Sequence, residues 1–257
     1  SSSSSSSSSS AAGAACALPR LSALSLDAVN RASGTLRLTP LMEAARDGDC
    51  ARAEELLAAG ADPSGTDRRG FDALMYAVRD GFADMCELLL RAIKRQVSRQ
   101  GQTGYTFHNK HRLSHMLYAA LNGHTDCVRV LARFGSRLDL CDATGCTPLM
   151  AAAQNGHVAT VEALVRLGAD LALQDRKGLT ALAHAVCASC VPATKLLLDA
   201  GADPCQPDLL GRSPLLWAVL IGSAPLGEAL LAAGAKVCDK VRAAVVRSHM
   251  ARLHSRQ

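Results

Sequence analysis

Three histidines in the middle of the sequence have a spacing that could bind a metal ion. His108, His111 and His115 are three and four residues apart, and on one helix these spacings place the imidazoles on one side, where they can share zinc. Residues 109–112, however, fall where the repeat pattern of the chain places a turn, and they contain no carboxylate. The pattern therefore favours ordinary loop histidines over a metal site.

Two cysteines form a C-x-x-C sequence, a spacing that redox enzymes and zinc sites both use. For redox chemistry Cys187 and Cys190 would have to lie at a helix N-terminus beside a βαβ unit, and a zinc site would need a second such pair. The sequence offers neither feature. The ten cysteines also form no paired framework, so we predict reduced, mostly buried thiols of an intracellular protein.

Catalytic signatures are absent from the sequence. It contains no G-x-S-x-G, P-loop, H-E-x-x-H or G-x-G-x-x-G element, and its acids show no paired arrangement. The prediction is a protein that is not an enzyme, holds no cofactor or metal and has no small-molecule substrate.

Composition and charge narrow the fold class and the range of functions further. The chain has 257 residues, of which 49% are hydrophobic and only 3% aromatic, which favours helices with small side chains at their contacts over a β-sandwich or barrel. No apolar run is long enough to span a membrane. Two segments, 91–112 and 236–257, hold twelve of the 28 basic residues but one acid, so the rest of the chain is acidic. This distribution excludes a uniform nucleic-acid-binding surface.

An internal repeat organises the chain from residue 35 onward. A phrase such as CTPLMAAAQNG at 146–156 recurs six times, and the steps between its apolar anchors are 33, 42, 33, 33 and 33 residues. A fixed period of this length predicts a stacked array of small units, not a single globular core. The anchors are Leu41, Leu74, Met116, Leu149, Leu182 and Leu215.

Each repeated unit predicts two antiparallel helices and a turn. Thr147 can cap the first helix and Pro148 suits its first turn, because the missing N–H has no partner there. Gly156 then ends this helix, and the apolar run VEALVRL at 161–167 predicts the second helix. The D-x-x-G step from Asp142 to Gly145 predicts a turn in which glycine supplies positive φ.

The pattern D-x-x-G-x-T-P-L, helix, G-H, helix, G-A-D resembles the ankyrin repeat family over residues 35–236. The resemblance implies an all-α fold, an ankyrin-repeat solenoid of helix-turn-helix units with β-turn fingers, whose usual function is protein binding. The family's histidine after T-P-L is absent, as at Met42 and Met150, so we expect apolar packing to replace its hydrogen bond. Ser189 replaces a helix-ending glycine, and we expect units two, three and five to be less regular than unit four.

These observations predict a division of the chain into three parts. Residues 1–34 form a Ser/Ala-rich segment that we expect to be disordered, and low-complexity coil outweighs an organelle transit peptide there. A basic insertion at 92–108 accounts for the long step, and residues 237–257 form a basic amphipathic helix that caps the stack. The six units are 35–66, 67–99, 109–141, 142–174, 175–207 and 208–236.

The resemblance also implies which residues face a partner: the turn tips and the last two positions of each first helix. Four of these positions in unit six are large aliphatics, which a partner, the chain's own tail or a distorted last unit could cover. The predicted partner-binding residues are Arg68, Arg69, Arg79, Asp80, Lys110, Leu121, Asn122, Thr144, Gln154, Asn155, Arg176, Lys177, Leu209, Leu210, Leu220 and Ile221, with Trp217 as an anchor.

Three functions are consistent with the sequence. The first is a cytoplasmic, non-catalytic protein-protein interaction module or scaffold, with a nuclear location as the alternative. The second is a nucleic-acid or anionic-membrane adaptor that uses the basic insertion and the basic tail. The third is the targeting arm of a larger enzyme whose catalytic domain lies outside this chain.

Overall fold

A computed structural model describes residues 26–100, 114–243 and 245, and these residues form helices arranged in pairs. The first helices of the six pairs are α2 (Pro40–Asp47), α4 (Ala73–Asp80), α6 (His115–Leu121), α8 (Pro148–Gln154), α10 (Ala181–Cys187) and α12 (Pro214–Ile221). The second helices are α3 (Cys50–Ala58), α5 (Ala83–Gln100), α7 (Thr125–Arg133), α9 (Val158–Arg166), α11 (Val191–Asp199) and α13 (Ala224–Ala232). A short helix, α1 (Leu26–Val29), precedes them. The described part contains no strand, and Ser33 and Leu38 form an isolated bridge.

Capping by local side chains explains where the first helices begin. The side chains of Thr39 and Thr147 accept hydrogen bonds from the backbone N–H three residues on, as predicted, and proline occupies the first turn of both helices. Methionine adds a contact that the sequence did not reveal. The sulfur atoms of Met42 and Met150 each accept from the backbone N–H of the capping threonine at 3.5 Å. In units one and four, the family's histidine bond is therefore replaced by a thioether contact as well as by packing.

The pairs stack because each helix packs on its equivalent in the next pair. Helix α8 contacts α6 on one side and α10 on the other, while the second helices form a parallel layer, α5 on α7 and α7 on α9. Ala152 and the equivalent small residues Ala44 and Ala119 are completely buried at these contacts. The stack thus has one continuous core built from neighbouring units. No helix in the described ranges combines the length and apolar composition that a membrane span requires.

The N-terminal boundary of ordered structure differs from the prediction. Residues 26–34, expected to be disordered, contain α1, and Val29 is fully buried. The Asn30 side-chain oxygen accepts from the backbone N–H of Asp62 at 2.8 Å. Order begins earlier because Val29 and Asn30 find partners in unit one, about thirty residues along the chain. The earlier part of this segment, 1–25, lies outside the described residues.

The basic insertion and the basic tail are described only in part. Helix α5 has 18 residues, twice the length of α7 or α9, and it carries the first part of the insertion. The remainder, 101–113, lies outside the described residues. In the tail, residues 239–243 are helical and Val241 is buried. Beyond them only residue 245 is described, so the capping helix over 237–257 stays a prediction.

Candidate functional site

Aspartates at the D-x-x-G steps build the turns that carry the tip residues. Asp175 Oδ1 accepts from the backbone N–H of Lys177 at 2.8 Å and of Leu179 at 2.9 Å. Asp67, Asp142 and Asp208 repeat this pattern in their own units. Because the aspartate holds the turn from inside, the side chains of the two residues before the glycine project outward.

Neighbouring turns are joined by backbone hydrogen bonds. Arg176 N–H donates to the carbonyl of Thr144 at 3.0 Å, and Leu209 N–H donates to the carbonyl of Lys177 at 3.1 Å. Arg68 and Leu36 make the same contact near the other end of the stack. These bonds set the spacing of the turns in units four to six, so the outward residues of these three turns form one surface. We call the outward turn residues, including Arg68 and Arg69 of unit two, the tip row.

The tip row is cationic at two units and apolar at the last. The tip residues Arg68, Arg69, Thr144, Arg176 and Lys177 are all exposed. At unit six the same positions hold Leu209 and Leu210, which are 75% and 67% exposed. Lys110, the predicted tip residue of unit three, lies outside the described residues.

A second row consists of the two residues that precede the glycine, or in unit five the serine, at the end of each first helix. We call it the helix-end row. In unit two, Arg79 and Asp80 form an ion pair at 2.6 Å. The row continues through polar residues and Leu121, and it finishes with Leu220 and Ile221, which are 56% and 40% exposed. Its remaining predicted members are all exposed; they are Leu121, Asn122, Gln154 and Asn155.

Trp217 lies on α12 with Leu220 and Ile221, and it is only half-buried. The Arg212 guanidinium stacks 4.2 Å from the centre of its ring and donates to Asp208 Oδ2 at 2.7 Å. Burial alone would raise the pKa of Asp208, but hydrogen bonds from Arg212 and Leu210 hold that pKa below its usual range. Arg212 therefore covers one ring face of Trp217, which limits the anchor role expected of this residue.

Units two and three share an aromatic cluster that was not predicted from the sequence. Phe71 lies edge-on to Tyr76 and Tyr118, with ring centres 6.0 and 5.9 Å apart. Burial, together with a 2.8 Å hydrogen bond from Tyr76 to Asp67 Oδ2, raises the pKa of Tyr76 to about 12. Phe71 and Tyr118 are half-buried beside the tip row. The available signal was the concentration of scarce aromatics in two consecutive units.

The structure describes three of the histidine and cysteine candidates: His115, Cys187 and Cys190. His115 is buried at the start of α6, and its Nε2 lies 3.0 Å from Asp72 Oδ1. Cys187 is exposed at the end of α10, and Cys190 precedes α11. Among the described residues, no group of three or more His, Cys, Asp or Glu side chains could hold a metal ion. His108 and His111 lie outside these ranges.

Two further histidines join consecutive units. His124 Nε2 donates to the carbonyl of Arg79 at 2.9 Å, and His157 Nε2 donates to the carbonyl of Leu121 at 3.0 Å. Each ring lies over the glycine that ends the first helix of the preceding unit. A Cβ on Gly81 or Gly123 would come within 2.6 Å of the ring. Both histidines therefore have a structural role at the contacts between units.

Comparisons with known proteins agree with this architecture. The family model described as ankyrin repeats (3 copies) matches residues 15–101, 93–175 and 167–241. Ankyrin repeat domain-containing protein 46 is 30% identical in the rat and 31% in the mouse over 111 residues. That match spans 43% of this chain and 43% of each relative.

Solved structures show the same likeness over most of the chain. The ankyrin repeat domain of human ASB11 superposes with a TM-score of 0.69 and 26% identity, covering 84% of this chain and 90% of that one. An ankyrin repeat domain from Acinetobacter baumannii AYE gives a TM-score of 0.67 and 29% identity, covering 77% and 98% respectively. The six helix pairs, the aspartate-built turns and these matches together establish that the chain belongs to the ankyrin repeat family.

Proposed function

We propose that this chain is a non-catalytic protein-protein interaction module that binds a partner protein through its tip row and helix-end row. Ankyrin repeats are in general protein-interaction modules, and the family is typically non-catalytic. In the family architecture the two rows lie on the concave face of the stack. We further propose a cytoplasmic location, because the nine cysteines among the described residues are free thiols.

The observation that carries this proposal is the apolar end of the surface. Leu209, Leu210, Leu220 and Ile221 are exposed at positions that are polar or charged in most other units. The described part of the tail lies beside these residues, since Lys240 Nζ donates to the Leu210 carbonyl at 3.2 Å, but it does not cover their side chains. Exposed apolar groups of this kind commonly mark contact surfaces.

The test is a charge introduced into the helix-end row. Leu220→Asp combined with Ile221→Asp should leave the helical circular dichroism unchanged, because both side chains are already exposed, and should abolish capture of protein partners in a quantitative cross-linking experiment. Leu231→Asp is the matched control, since Leu231 is 48% exposed on the second helix of the same unit. A folded double variant that retains every partner would refute the proposal.

A second candidate function is an adaptor for nucleic acid or an anionic membrane. Its support is a stripe on the extended part of α5, where Arg91, Lys94 and Arg95 are exposed at helical i, i+3 and i+4 positions. Lys94 and Arg95 take part in no ion pair within the described residues.

Salt dependence separates this adaptor from the main proposal. If α5 contacts phosphates, RNA or anionic vesicles should bind with an affinity that falls steeply with salt, by roughly 0.7 log units per log unit of salt for each phosphate contacted on a single strand. Lys94→Glu with Arg95→Glu should remove that binding. Absence of measurable binding at about 50 mM salt would eliminate the adaptor function.

A further inference from the structure

Among the described residues, the cations of the tip row form no ion pair with an acidic side chain. Arg176 and Lys177 are exposed and form no ion pair in the part of the chain that the structure describes. Asp175 lies between them and the core, but its Oδ1 accepts from two backbone N–H groups and its Oδ2 lies 3.1 Å from His184 Nε2. The Asp175 carboxylate therefore accepts its hydrogen bonds inside the turn and forms no ion pair with Arg176 or Lys177. Positive charge remains at the tip of the turn.

Asp142, at the turn of unit four, also accepts its hydrogen bonds within its own turn. Asp142 Oδ1 accepts from the backbone N–H groups of Thr144 and Cys146 and from the Thr144 hydroxyl, all within 2.9 Å. Arg176 helps to lower the pKa of Asp142 but makes no direct contact with its carboxylate. The tip cations of unit five thus remain available to an external anion.

Unit six places a different chemistry directly beside these cations. The hydrogen bond from Leu209 N–H to the Lys177 carbonyl fixes the two turns side by side. Packed helices lie about 10 Å apart, a distance that about three residues of extended chain can span. A bound segment that crosses from unit six to unit five therefore meets exposed aliphatic side chains and then two cations.

We infer that the partner presents an acidic segment, with large apolar side chains on Leu209, Leu210 and Leu220 and a carboxylate on Arg176 or Lys177, two to four residues away along the partner chain. This inference rests on the proposed function and specifies the chemistry of its partner. Opposite charge steers the encounter and sets the direction of the bound segment, while the apolar contact supplies most of the affinity. A basic segment would be repelled at unit five.

Selection from a random 12-residue peptide display library on the immobilised full chain tests this inference. We expect enriched peptides to carry a pair of large apolar residues with Asp or Glu two to four positions away. For one selected peptide, Arg176→Glu with Lys177→Glu should weaken binding roughly tenfold. Lys195→Glu is the matched control, because Lys195 is exposed on α11 of the same unit, and it should leave binding unchanged.

The outcomes distinguish this inference from the proposed function. Enriched peptides that lack an acidic preference, or that bind the Arg176→Glu, Lys177→Glu variant equally well, would overturn the inference alone. If no peptide is enriched, or if enrichment survives Leu220→Asp with Ile221→Asp, both the inference and the proposed surface fail.

Discussion

The contact between His157 and Gly123 gives a quantitative test of how neighbouring units are joined. Gly123 has a φ of 76°, and a Cβ added there would lie 2.6 to 2.9 Å from three ring atoms of His157. The ring cannot easily move away, because its Nε2 is bonded to the Leu121 carbonyl at 3.0 Å. Gly123→Ala should therefore both strain the backbone and overpack the contact between units three and four.

Gly135 in the same unit separates these two effects. It has a similar φ of 85°, but nothing lies within 4 Å of a Cβ built on it. Gly135→Ala should cost only the left-handed backbone strain, about 1 kcal/mol. Gly123→Ala adds overpacking, typically 1–3 kcal/mol, so we expect a total loss of about 3 kcal/mol and a melting temperature lower by about 8 °C.

Equilibrium urea unfolding followed by circular dichroism measures both variants. The double variant Gly123→Ala, His157→Ala should lose less stability than the sum of its single variants, because removal of the ring relieves the clash. Equal destabilisation of the two glycine variants, or strict additivity in the double variant, would refute the proposed contact.

Two further predictions concern unit five. Ser189 takes a φ of 56° where other units have glycine, so Ser189→Gly should stabilise the protein by about 0.5–1 kcal/mol; an unchanged or lower urea midpoint would contradict this. Burial lowers the pKa of His184 below 6.5 despite the neighbouring Asp175. The unfolded state therefore binds the proton more readily, and the free energy of unfolding should be highest above about pH 7.5 and fall as the pH drops through 6.5. His184→Gln should flatten the dependence of the unfolding free energy on pH in this range. The range is separate from the one below about pH 3.8, where Asp62, Asp142 and Asp208 protonate. An equally steep profile in the variant would count against His184 as its source.

The regular part of the fold was predictable because each unit contains the sequence signals that start and end its own helices. The Thr-Pro starts, the glycine ends and the Asp-x-x-Gly turns act within a few residues, so their spacing in the sequence is enough to predict the helix pairs. The outward direction of tip residues such as Arg176 also followed from the repeat register. Whether these residues bind a partner stays a prediction, since exposure alone does not identify a contact.

The features that escaped prediction depend on distant parts of the chain. Phe71 and Tyr118 are 47 positions apart because the insertion separates their units, yet the stack brings their rings to 5.9 Å. Cys86 and Cys127 likewise meet in the core, with sulfur atoms 3.8 Å apart. The order at Val29 and Asn30 also comes from contacts with unit one. No local signal in the sequence specifies which of these residues come into contact.

Because each unit packs only on its neighbours, a unit at an end of the stack has fewer stabilising contacts than a unit in the middle. Helices α12 and α13 pack on α10 and α11, but the described residues contain no following unit to cover their other side. In a nearest-neighbour array, a unit that packs on one neighbour opens by local fraying more often than a unit that packs on two. A partner seated on Leu209, Leu210 and Leu220 would act as the missing neighbour. Binding and the local folding of unit six would then be thermodynamically linked, so the bound state would resist proteolysis at this end more strongly than the free chain does.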